Sequence, residues 1–128
     1  DSTELMWYSL RRDDGSADPV SSGTLVFADG RTQPLTAQDL TVESLDYWTS
    51  PQSKAQYPQQ WRITAPSLGL NLDVRSLLAD QELNTARSTR VVYWEGAVST
   101  TGQVHGTAVT GRGYVELTGY AERFTQRL

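Results

Sequence analysis

Apolar and polar residues alternate along most of this chain with the two-residue period of strands, not the 3.6-residue period of helices. Leu70-Asn71-Leu72-Asp73-Val74-Arg75 is the clearest case, apolar on one face and polar on the other. Trp61-Arg62-Ile63-Thr64-Ala65 alternates in the same way until Pro66 stops it. A first apolar and aromatic run spans Leu5 to Leu10 and is closed by the turn residues Asp13-Asp14-Gly15-Ser16. A second, Gly23 to Phe27, ends at the hairpin dipeptide Asp29-Gly30, and a third runs from Leu40 to Trp48. A proline- and glutamine-rich loop is expected from Thr49 to Gln60. Between Ser76 and Thr89 the pattern loosens around Leu77-Leu78 and Leu83, as in a short helical turn or an irregular connection. Two further strands, Arg90–Ser99 and Thr107–Tyr120, are expected to be joined by a turn around Gly102. Short strands at intervals of about 8–15 residues, separated by Gly and Asp turns, predict one antiparallel all-β domain, a barrel or a sandwich. No internal repeat, low-complexity tract or linker interrupts it.

Composition narrows what such a domain can do. The 128 residues include no cysteine and one histidine, which excludes a disulfide framework, a thiol nucleophile, a cysteine zinc site and any multi-histidine metal centre. Fifteen acidic residues outnumber eleven basic ones, and the arginines are scattered, so no basic stripe for nucleic acid exists. No apolar run approaches the roughly 20 residues of a membrane helix, and no stretch of these residues reads as a signal peptide. Absence of cysteine does not choose a compartment. The chemistry left to the chain is that of carboxylates and aromatics.

Those two types meet in the late strands. Val91, Tyr93, Glu95 and Ala97 share one face of the first, and Val92, Trp94, Gly96 and Val98 the other. In the second, Tyr114, Glu116, Thr118 and Tyr120 oppose Val115, Leu117 and Gly119. If the strands are hairpin neighbours, Glu95 and Glu116 fall on one side of the sheet. Two arrangements fit this pattern. Either the Tyr/Glu faces look at solvent while Val, Trp and Leu fill the interior, or they line a cavity or a seam, where Arg112, Arg62 and Arg90 are available as charge partners.

Three stretches carry a more specific signal: Trp48-Thr49-Ser50-Pro51 with Tyr57-Pro58 and Trp61; Asp80-Gln81-Glu82-Leu83; and Tyr93-Trp94-Glu95-Gly96-Ala97-Val98 followed by Gly111 to Tyr120. In this order, and with the opening Glu4-Leu5-Met6 through Gly15 and Ser22-Gly23-Thr24, the chain resembles the lipocalin-like family of carotenoid 1,2-hydratases (hydroxyneurosporene synthases) and AttH-like proteins, often labelled predicted secreted hydrolases. The resemblance runs through nearly the whole chain. It implies a lipocalin-like (calycin) β-barrel over residues 1–128, the C-terminal one of two in tandem, beginning just after that domain's first strand and partnered by an N-terminal lipocalin-like domain. It also implies a periplasmic or secreted bacterial protein, with a cytoplasmic one still open. One departure stands out: Ser53-Lys54-Ala55-Gln56 occupies a loop that contains glycine in the family.

The resemblance further implies a reaction on an apolar, isoprenoid-like small molecule. Hydrating a carbon–carbon double bond needs a proton donor, a shielded carbocation and a water, with no metal or cofactor. Glu116 or Glu95, kept neutral by apolar surroundings, would be the acid. Trp94, Tyr93, Tyr114, Tyr120 and Trp61 would hold the ligand or face the cation, with Arg112 beside them. The alternative is a barrel without catalysis, which binds a hydrophobic ligand or serves as a scaffold. Trp48 and Trp61 either pin the intervening loop or form a ligand platform, with Tyr57-Pro58 between them. Trp7 is expected to pack on whatever precedes it. Asp80 and Glu82 are candidates to anchor the 76–89 connection, and His105 to sit solvated in a turn. No Gly-x-Ser-x-Gly elbow supports a serine hydrolase.

Overall fold

The computed structural model describes residues 3–12, 14, 18–19, 21–84 and 92–121. Within these, strands β1 (Glu4–Tyr8), β2 (Ser22–Val26) and β3 (Thr32–Thr36) form an antiparallel three-stranded sheet in that order. The second sheet contains β4 (Thr41–Thr49), β5 (Gln56–Ala65), β6 (Leu70–Ser76), β7 (Glu82–Asn84), β8 (Val92–Val104) and β9 (Thr107–Thr118). Its ladder runs β4-β5-β6-β8, with β9 on the far side of β8 and β7 continuing along β8 where β6 leaves off. A 3₁₀ turn, Pro66–Leu68, links β5 to β6. The all-β, antiparallel expectation therefore holds. Among the described residues the strands pair as two sheets and not as one closed ring. The corner between them lies after β3, where the Asp39 carboxylate accepts the Thr36 N–H at 2.7 Å and buried Leu40 turns the chain into the second sheet.

Two apolar clusters hold this arrangement. Leu25 and Leu35 of the small sheet pack with Leu40, Ala65 and Leu70, which joins the sheets. The other cluster is aromatic: Tyr57, Trp61, Trp94, Val74, Val98, Leu117 and Ala55 lie on the inner face of the large sheet. Tyr57 of β5 and Tyr120, just past β9, come within 5.7 Å although β6 and β8 separate their strands, so the sheet curls over its own core.

Several boundaries differ from the pattern-based expectation. The loop after Trp48 is shorter, because Tyr57-Pro58-Gln59-Gln60 already belong to β5. Proline is tolerated there because Pro58 pairs with Tyr47 beyond the end of the β5–β6 register, which begins at Gln60. Strand β3 lacks a clear strand signature because it carries Pro34, and its position at a sheet edge makes that proline acceptable. The 76–89 connection holds a short strand, β7, in place of a helical turn. Gly102 is not the turn. It lies inside β8, and the hairpin closes three residues further on, at His105-Gly106, both left-handed with φ of 49° and 78°. Trp7 packs with the inter-sheet cluster and donates its ring N–H to Ser9 Oγ at 2.8 Å. Arg90, Val91, the 85–89 part of the connection and residues 13 and 15–16 of the first turn lie outside the described residues.

Candidate functional site

The β8–β9 hairpin brings the two carboxyl candidates together. Glu95 and Glu116 are directly opposed in the ladder, flanked by the pairs Tyr93–Thr118 and Ala97–Tyr114. Strand alternation puts Tyr93, Glu95, Tyr114, Glu116 and Arg112 on one face, and that face looks outward: Glu116, Tyr114 and Arg112 are exposed, and Glu95 and Tyr93 are half-buried. Loss of solvent against the sheet holds the Tyr114 phenol above its usual pKa, reinforced by the charge of Glu95 and a hydrogen bond to it, and by Tyr93 and Glu116. Two like charges directly across a ladder repel. Arg62 does not relieve them, because it faces Glu43 at 3.7 Å on the other side of the sheet order.

The remaining candidates lie on the opposite face. Trp94 is fully buried, its ring N–H donating to the Ala79 carbonyl at 2.7 Å, and Trp61 packs beside it with ring centroids 6.5 Å apart. Tyr120 is expected on the Glu116 face by alternation, but β9 ends at Thr118, and Gly119 with φ of 76° turns the chain inward. The Tyr120 ring packs in the aromatic cluster, with the Arg11 guanidinium 3.4 Å from its centroid. Burial raises the pKa of its phenol, an effect that Arg11 opposes. The sheet thus stands between the carboxyls on one side and Trp94, Trp61 and Tyr120 on the other.

The sequence pattern does not reveal a polar cluster built on Glu82. Its carboxylate accepts hydrogen bonds from Ser50 Oγ at 2.6 Å, Ser53 Oγ at 2.5 Å and the Tyr57 hydroxyl at 2.7 Å. Burial would raise the pKa of this carboxyl, but the three hydroxyl donors outweigh burial and hold it below its usual range. Burial, with Glu82 next, pushes the Tyr57 phenol upward. The anchoring role expected of Glu82 is what this geometry performs: it ties the 50–55 loop to β7. Trp48 stacks on Tyr57 at 6.2 Å and completes that anchor. Lys54, in the 50–55 loop, has φ of 65°, a conformation that glycine adopts at low cost.

Two cavities open elsewhere. One of about 360 Å³ lies beside Tyr47, Gln59 and Arg75; the other, about 300 Å³, lies between the sheets near His105. Among the described residues, no three of His, Cys, Asp and Glu gather as a metal site would require, and no helix is long and apolar enough to cross a membrane.

Comparison with known proteins adds two findings. The profile of the family described as AttH-like matches residues 1–120. The crystal structure of a candidate AttH from Nitrosomonas europaea superimposes with a TM-score of 0.80 at 33% identity, over 94% of this chain and 35% of that one. The chain therefore spans about a third of the length of this solved relative. No curated protein matches it.

Proposed function

Because the chain belongs to the AttH-like family, we propose that it works as one lipocalin-like module of a larger protein acting on an apolar, isoprenoid-like substrate, and that its part there is structural. In this reading the β8–β9 Tyr/Glu face closes against the remainder of that protein, an N-terminal lipocalin-like domain, in a periplasmic or secreted setting. The observation that carries it is the separation of carboxyls from core. Glu95 and Glu116 oppose each other on the outer face, while Trp94, Tyr57 and Trp61 fill the space behind them. An acid for an alkene works beside the aromatic side chains that shield the cation, and here the sheet itself separates Glu95 and Glu116 from the buried Trp94 and Trp61. The length of the relative from Nitrosomonas europaea supports an occupant for the uncovered face, because about two thirds of that chain lies beyond the matched part.

A second reading gives the carboxyl pair the acid role of a hydratase or hydrolase, and the direct opposition of Glu95 and Glu116 beside Tyr114 favours it. Separate Glu95→Gln and Glu116→Gln variants of the larger protein, assayed for water addition to an apolar alkene, divide the readings. The structural role predicts that turnover survives both changes. A loss of about 100-fold or more in kcat, with KM held, would establish the acid role instead.

A further inference from the structure

Away from the Glu95–Glu116 pair, at the far end of the β8–β9 hairpin, the two sheets part around the 300 Å³ cavity. Its walls include Leu25 and Phe27 from the small sheet's side, Leu70 and Val104 from the large one, and Leu68 from the 3₁₀ turn. The space is walled mainly by these apolar side chains and opens to solvent beside the exposed Thr3, Gln33 and His105. Polar groups occur at its rim, where Gln33 and His105 stand.

His105 is the chain's one histidine, and its position breaks a local rule. It opens the two-residue β8–β9 hairpin with φ of 49°, ahead of Gly106 at 78°, where Asn-Gly is the favoured pair. Its N–H donates to the Gly69 carbonyl at 2.8 Å. A Cβ on Gly69 would lie 2.5 Å from His105 Nδ1, so the bare glycine is what lets the imidazole lie over the 3₁₀ turn. The two-residue hairpin requires this left-handed conformation, and it sets the exposed imidazole beside the cavity.

We propose that this cavity binds an amphipathic small molecule, with its apolar body between the sheets and an oxygen-bearing head, such as a carboxylate, read by His105 and Gln33. Benzene fills an apolar cavity of about 150 Å³, so this one accommodates a body of about ten to twelve carbons. The imidazole and the Gln33 amide both offer N–H donors to such a head. The site is separate from the Tyr/Glu face and stands whether or not that face docks.

Decanoate is the probe, titrated into the full chain by calorimetry and by NMR. Binding is expected to move the Leu25 and Leu70 methyl signals and the His105 ring signals. Leu68→Trp, which fills the cavity, should weaken binding by about tenfold or more. His105→Gly suits the left-handed turn and removes only the imidazole, and it should weaken decanoate by about fivefold or more without lowering Tm. Absence of binding to the wild-type chain, or signal shifts confined to other residues, overturns the site. Undiminished affinity in Leu68→Trp also overturns it, and undiminished affinity in His105→Gly overturns the assignment of the head.

Discussion

The Tyr57 hydroxyl donates to Glu82 Oε2 at 2.7 Å, joining β5 to β7 across 25 positions of sequence. With Ser50 and Ser53 on the same carboxylate, this contact decides where the 50–55 loop lies and how the edge of the aromatic core is closed. Hydrogen bonds to a charged group contribute more than neutral ones, so Glu82→Gln should cost about 1–3 kcal/mol at neutral pH. The pH dependence follows from the direction of the shift. The folded value lies below the unfolded one, so the stabilisation is complete above the unfolded carboxyl pKa of about 4.3 and is lost as pH falls through the folded value. Urea unfolding at pH 7 and again at low pH checks this. The gap between wild type and variant should shrink in acid.

Lys54 offers a test of opposite sign. Its φ of 65° is a left-handed conformation that costs an ordinary residue about 1–2 kcal/mol. Lys54→Gly relieves that cost and gives back part of it as unfolded-chain entropy, for a net gain of up to about 1 kcal/mol. The Lys54 ammonium contact to the Pro51 carbonyl at 2.9 Å is exposed and its loss should be minor. A rise of a few degrees in Tm is the expected readout.

Gly102 shows where pattern reading stops. In sequence it sits among Thr, Gln and Gly and reads as a turn, yet it lies in mid-strand beside β6. A Cβ there would stand 2.1 Å from the Asn71 carbonyl oxygen, a backbone atom that cannot swing away. Gly102→Ala should therefore force β6 from β8 and cost more than about 2 kcal/mol. Gly106→Ala meets no atom within 4 Å and should cost only the conformational strain of its φ, about 1–2 kcal/mol. Thermal melts of both variants rank the two effects.

The strands with regular alternation, β6 and the second half of β5, are legible from sequence because one face is buried and the other is not. The pairing of Glu95 with Glu116 is legible as a possibility once two neighbouring strands are assigned, and the register then makes the residues direct partners. Strand β3 is not legible, since Pro34 hides it and only its edge position permits it. Tyr120 also defeats alternation, because one left-handed glycine after Thr118 reverses the face it joins. The Glu82 cluster draws its donors from residues 25 to 32 positions away, so no local pattern announces it.

The central claim is that the Tyr/Glu face of β8–β9 is covered by the rest of a larger protein. Carbodiimide labelling of that native protein, read residue by residue in a mass spectrometer, tests it most directly. Glu43, whose side chain is 58% exposed and which lies on β4, three strands from β8 across the sheet, is the internal reference. The account predicts that Glu95 and Glu116 label far more slowly than Glu43, by about tenfold or more, and that denaturation abolishes the difference. Labelling of Glu116 as fast as that of Glu43 in the native protein would contradict it.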